Sequence, residues 1–117
     1  MTENKCNLTY TEKFHDDAKT KISERNTLMN GVLIRAESYY TNGQVFSQCH
    51  YKDAKRTKEY LWHENARIMS ESNFTDDKYE GIQYRWYISG QIMSQFKYEN
   101  GKKITELRWR EDGTKGW

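Results

Sequence analysis

The residues whose types and spacing could do chemistry are few: Cys49-His50, His63-Glu64, His15-Asp16-Asp17 and the basic run Lys55-Arg56-Thr57-Lys58. Cys49-His50 has the types of a thiolate nucleophile and its base, and His63-Glu64 those of a base and an orienting carboxylate. Neighbours along a strand point to opposite faces, so neither pair can meet within one chain if these segments are extended. A cross-strand carboxylate could reach His63, but no third, orienting group is spaced to complete a site. His15-Asp16-Asp17 offers three metal-ligand types in succession, yet in a turn they read more simply as a solvated polar loop. The basic run is flanked by Asp53 and Glu59, which makes it a charged turn rather than a lipid or RNA contact. Phosphate-loop, nucleophile-elbow and zinc-ligand spacings are missing. The sequence thus predicts no catalytic residue, no metal and no cofactor.

Composition narrows the class. With 117 residues, the chain reads as one domain over 1–117. Only 35% of it is hydrophobic against 31% charged, which suits a thin, one-layer architecture better than a thick core. Nine Tyr, four Trp and four Phe argue against disorder, because disordered chains are poor in aromatics. A formal charge of +2 is too balanced to announce nucleic acid or an acidic membrane. Aromatics interleaved with Lys and Arg could stack single strands, but sheet packing explains their regular spacing better. No apolar run is long enough for a membrane helix, and Met1 to Cys6 lacks the layout of a signal peptide, so a soluble cytoplasmic protein is expected. Cys6 and Cys49 have no CxxC spacing and read as reduced thiols.

The elements that must position these residues are set by a repeat. Trp86 to Lys102 reads as strand, Gly turn, strand, Gly turn, and Tyr39 to Lys55 and Trp62 to Lys78 repeat it. Aromatics at Tyr39, Trp62, Trp86 and Trp109 each stand four residues before Gly43, Ala66, Gly90 and Gly113. From Asn30-Gly31 onward a second set of turns falls at Asp53-Ala54, Asp76-Asp77 and Asn100-Gly101, with the Asn/Asp-Gly chemistry of hairpins or its relics. Ser23, Ser47, Ser70 and Ser94 are 24, 23 and 24 residues apart, so residues 1–30 read as a degenerate first repeat or cap before clear repeats over 31–117. A short N-terminal helix competes there, since Phe14, Ala18 and Ile22 fall at i, i+4 and i+8. The predicted fold is all-β: an elongated, single-layer antiparallel meander of serial β-hairpins.

Strict alternation across a three-residue Ile88-Ser89-Gly90 loop predicts two unlike faces. One collects Ile82, Tyr84, Trp86, Ile92, Ser94, Phe96 and Tyr98, a ladder of rings with a row of Ser down its middle. The other mixes apolar and charged types, and its Tyr, Met and Arg content is that of protein interfaces. The predicted partner-binding residues come from this second face: Tyr40, Phe46, His63, Met69, Arg85, Tyr87, Met93, Gln95, Arg108 and Arg110. Ala54 and Ala66 stand where the other repeats have Gly, and a left-handed backbone there would be strained.

These units have the form Tyr/Trp-x-x-x-Gly-Gln/Lys, an apolar residue, Ser, a Tyr, then Asn-Gly-Lys. They resemble the bacterial variant of the MORN repeat, and Tyr79-Glu80-Gly81 looks like the opening of its common eukaryotic form. The resemblance spans about residues 31–117 clearly and 8–30 weakly. It implies serial hairpins stacked into one twisted sheet, and a scaffold for protein contacts. It also implies kinship with small bacterial proteins described as antitoxins. Function is then expected in protein recognition: a bacterial or phage-encoded module that occupies a toxin or a defence protein. A self-associating scaffold joined through its terminal hairpin is the alternative, motivated partly by Trp117 beside Gly116, and a small enzyme is third. Neither specific nucleic-acid binding nor membrane insertion is expected.

Overall fold

Strand-forming segments separated by residues tolerant of positive φ leave the chain one economical solution, which is to fold back on itself again and again. In the computed structural model, which describes residues 7–116, ten strands do so: β1 (Leu8–Phe14), β2 (Ile22–Met29), β3 (Val32–Tyr39), β4 (Val45–Lys52), β5 (Lys55–Trp62), β6 (Ile68–Thr75), β7 (Lys78–Tyr79), β8 (Gly81–Trp86), β9 (Ile92–Glu99) and β10 (Lys102–Arg108). All pairings are antiparallel, and the spatial order follows the chain apart from the short β7, which pairs only with β6. The first hairpin, β1–β2, spans residues 8–29, and the competing helix is not formed among the described residues. Cys6 and Trp117 lie outside the described residues.

Two kinds of turn alternate along the two long edges. On one edge the loops after Tyr40, His63, Tyr87 and Arg110 have three residues, and the first, closed between His15 and Lys21, has five. Tyr87 N–H donates to Gln91 O at 2.8 Å, Gly90 N–H to Tyr87 O at 2.9 Å, and Gly90 has φ +95°. His63 to Arg67 repeats this with Ala66 at φ +70°, so an L-residue carries the strained position there. On the other edge, two-residue turns have both central residues at positive φ: Asn30-Gly31, Asp53-Ala54, Asp76-Asp77 and Asn100-Gly101. That backbone matches the right-handed twist of the flanking strands.

Next to almost every turn the ladder takes in one extra residue, a β-bulge. After the three-residue loops the inserted residues are Phe46, Met69 and Met93, with Ser23 equivalent in the first hairpin; after the two-residue turns they are Ile34, Thr57 and Ile104. Each insertion reverses the alternation. Expected beside Trp86 and Tyr84, Ser94 instead stands opposite Arg85 and Arg108, and Phe96 opposite Gln83. Ser47 and Ser70 both face Leu61. The serine row and the tryptophan ladder therefore lie on opposite faces. The tryptophan face carries Tyr39, Trp62 and Trp86 against Val45, Ile68 and Ile92, with Tyr60–Trp62 and Tyr84–Trp86 ring centroids 5.7 and 5.6 Å apart.

The described residues measure 57 × 38 × 20 Å, and all their strands belong to one sheet with no second layer packed on it. Cys49 and Phe74 are the only buried apolar residues among those described, and the other buried groups are polar: Thr27, Ser70, Gln83 and Ser94. Gln83 fills a gap. The ladder between β6 and β8 breaks at Tyr79-Glu80-Gly81, where Gly81 has φ +84°. There the Gln83 amide accepts from Asn73 N–H at 2.6 Å and donates to Asn73 O at 3.1 Å, taking the place of a missing strand residue. Phe74 stacks on Tyr79 at 5.1 Å and Tyr79 leans on Tyr98 at 5.0 Å, with the Arg56 guanidinium 4.4 Å above Phe74.

Candidate functional site

Nine of the ten predicted contact residues fall into three groups on or beside the serine face; the tenth, Gln95, lies on the other face. The first group is structural. The residue after each strand-end aromatic reaches across to the main chain of the next repeat: the Tyr40 hydroxyl donates to Trp62 O at 2.8 Å, and the Tyr87 hydroxyl to Trp109 O at 2.9 Å. His63 Nε2 lies 3.1 Å from Trp86 O, and His15 Nε2 2.8 Å from Tyr39 O. A carbonyl only accepts, so Nε2 carries the proton in both rings. These four side chains staple repeat to repeat along one edge. Arg110 holds the same position in the last hairpin.

The second group is the bulge residues. Phe46 is 38% exposed and meets the Tyr40 ring edge-on at 5.1 Å, while Met93 lies in one cleft with Tyr87. Met69 has the equivalent place beside His63. Because the bulge sets Met93 and Ser94 on the same face, an apolar side chain, Phe46, Met69 or Met93, borders the serine row in the three later repeats.

The third group is cationic. Arg85 and Arg108 flank Ser94 from the neighbouring strands β8 and β10, and Arg110 stands at the rim of the same cleft. The cleft encloses about 270 Å³, with Phe96 and Trp109 among its walls. Arg108 bonds Glu106 at 3.0 Å and lies 5.4 Å from the Phe96 centroid. Hydrogen bonds from Arg108 and Lys103 hold the Glu106 carboxyl below its ordinary pKa, so it stays charged. The structure thus brings Arg85, Tyr87, Met93, Arg108 and Arg110 together. Gln95 belongs elsewhere: it stands opposite Tyr84 and Leu107 on the tryptophan face, because the Met93 bulge reverses the alternation.

The other chemical candidates are separated as expected or otherwise engaged. Cys49 is opposite Glu59 and His50 opposite Lys58, so thiol and imidazole lie on opposite faces. Burial pushes the Cys49 thiol above its ordinary pKa, away from the reactive thiolate. The Asp16 carboxylate accepts from Thr20 N–H and Lys21 N–H, both at 3.0 Å, and from the Thr20 hydroxyl, which makes it a turn cap. Lys55 and Arg56 pair with Asp76 and Asp77 of the next turn at 3.1 and 3.5 Å. Among the described residues no three His, Cys, Asp or Glu side chains cluster to hold a metal. Nor is any helix among them long and apolar enough to cross a membrane.

Sequence reasoning missed Ser94 as part of the cleft. Its repeat position was visible, but its face depends on an inserted residue that nothing in the local sequence marks. No protein-family model matches the chain, and no curated protein matches it.

Proposed function

We propose that this protein is a non-enzymatic, MORN-like binding module that works by occupying the surface of a partner protein. The partner we favour is a bacterial toxin or a defence protein, with this chain as the antitoxin or the phage-encoded inhibitor, acting in the cytoplasm. One observation carries the reading: among the described residues the strands form one sheet, and no second sheet or helix of the chain packs over the serine face. Bulge side chains and three arginines project from it, the residue types found at protein interfaces. A rigid one-layer sheet also loses little conformational freedom on docking, which favours capture by shape.

The test is reconstitution. A tagged chain is purified from its native host, the co-eluting protein is identified, and both are recombined from pure components. A stoichiometric complex that is lost in Arg85→Glu/Arg110→Glu, with folding intact, supports the proposal. Two pure components that do not associate sink it.

A second reading, self-association, draws on the edge strands. Leu8 and Tyr10 on β1, and Leu107 with the inserted Ile104 on β10, are 39–55% exposed beside main-chain groups that could pair with another strand. Sedimentation decides it: a monomer at high micromolar concentration removes this alternative.

A further inference from the structure

We infer that the cleft between β8, β9 and β10 is a binding site for the phosphate of a phosphomonoester, an activity separate from protein capture. Ser94 is only 2% exposed, yet its Oγ has no hydrogen-bond partner, although it lines an open cleft. A buried hydroxyl normally finds a partner, and an unmet one calls for an explanation. Its cross-strand neighbours on both sides are arginines, Arg85 and Arg108, sharing its face. Arg85 and Arg108 thus stand on either side of Ser94, about two strand spacings apart, close enough for one anion to reach both long side chains.

The charge at the site is unbalanced. Arg108 is paired with Glu106, while the side chains of Arg85 and Arg110 make no ion pair or hydrogen bond among the described residues. Glu106 meets Arg108 and the Asp112 carboxylate lies within electrostatic reach of Arg110, which leaves Arg85 as the excess cation for a phosphate oxygen. Guanidinium forks match phosphate oxygens two at a time, and the Ser94 hydroxyl supplies a donor from the floor. At about 270 Å³, the cleft holds a phosphate with room for part of the group it esterifies. Phe96 and Trp109 offer that group an aromatic wall.

The experiment is titration of the full-length protein in chloride buffer with inorganic phosphate, followed by amide chemical shifts or calorimetry. We expect saturable binding, with perturbations centred on Arg85, Ser94 and Arg108. Arg85→Gln should weaken it about tenfold, the loss of one charge-assisted bidentate contact. Ser94→Ala, nearly isosteric, should weaken it about threefold. Lys97→Gln, on the opposite face, controls for net charge and should bind as the unaltered protein does. O-phosphoserine and AMP identify the source: equal affinity means the phosphate alone is read, and tighter AMP means a base stacks on the aromatic wall. Either upholds the site. Absence of saturable phosphate binding, or unchanged binding in either Arg85→Gln or Ser94→Ala, overturns it. A protein partner captured without phosphate affinity leaves the function proposed above standing while this site falls.

Discussion

The two long edges of the sheet solve one problem by different means. Along the edge of three-residue loops, polar side chains reach from each repeat to the next main chain, as Tyr40 does to Trp62 and Tyr87 to Trp109. Along the edge of two-residue turns, rings stack from Phe74 through Tyr79 to Tyr98, and Gln83 closes the broken ladder. The first edge is regular and distributed, the second concentrated at one repair. It follows that Tyr40, His63 and Tyr87, conspicuous as contact residues, serve mainly to hold the sheet, whereas Arg85, which makes no ion pair or hydrogen bond among the described residues, remains available.

Mutations can break this contrast. The largest effect is expected at the repair: Gln83→Ala leaves the Asn73 N–H without its acceptor, while the Asn73 carbonyl keeps Glu80 N–H at 3.0 Å, and should cost about 1–3 kcal/mol in chemical denaturation. A loss below about 1 kcal/mol would mean that water replaces the amide and that the second edge is not concentrated there. Next come the staples. Tyr40→Phe and Tyr87→Phe each remove one hydrogen bond and should cost about 1 kcal/mol. Being remote from each other, they should add in the double variant. Strong non-additivity would show the first edge to be one cooperative unit.

The turns sharpen the comparison further. Ala66→Gly on the first edge and Ala54→Gly on the second relieve left-handed alanines at φ +70° and +64°. Each should stabilise the fold by a few tenths to about 1 kcal/mol, less the extra freedom glycine gives the unfolded chain. A lowered melting temperature for either would contradict the strain.

The smallest effect is a pH dependence from the tryptophan face. His50 Nε2 lies 2.9 Å from Gln48 Oε1, and burial, followed by the Arg35 charge, lowers the imidazole pKa below its ordinary value of 6.5. The unfolded chain then binds the proton more readily. His50 therefore contributes stability above about pH 6.5 that is lost as pH falls through the lowered, folded-state pKa. The loss should show as a shallow fall in melting temperature from pH 7 to pH 5 that is absent in His50→Gln. An unchanged slope in that variant would place the titrating group elsewhere.

Much of this architecture could be read from the residues. The antiparallel hairpin meander, its period and its turn lengths follow from Asn/Asp-Gly chemistry and from aromatics four residues before the Gly or Ala that ends each three-residue loop. The division into faces did not follow, for a physical reason. A β-bulge is a main-chain event with no required side chain, and one inserted residue moves every later residue to the other face until the next bulge restores it. Hence the site was legible in part. Arg85, Met93 and Arg108 were found, Gln95 was misplaced, and Ser94 was counted as framework. The staples were hidden too, because a Tyr or His at a strand end carries no mark of a carbonyl 22 or more residues away.

The staples also give the sheet a sense of direction. Each runs from a side chain in one repeat to the main chain of the following repeat, as links do in a chain assembled one way. Such a lattice has no unique centre, so a whole link can be taken out and the ends rejoined. Excising residues 63–86 would fuse Trp62 to Tyr87, leaving Tyr40 its acceptor in Trp62 and Tyr87 its acceptor in Trp109.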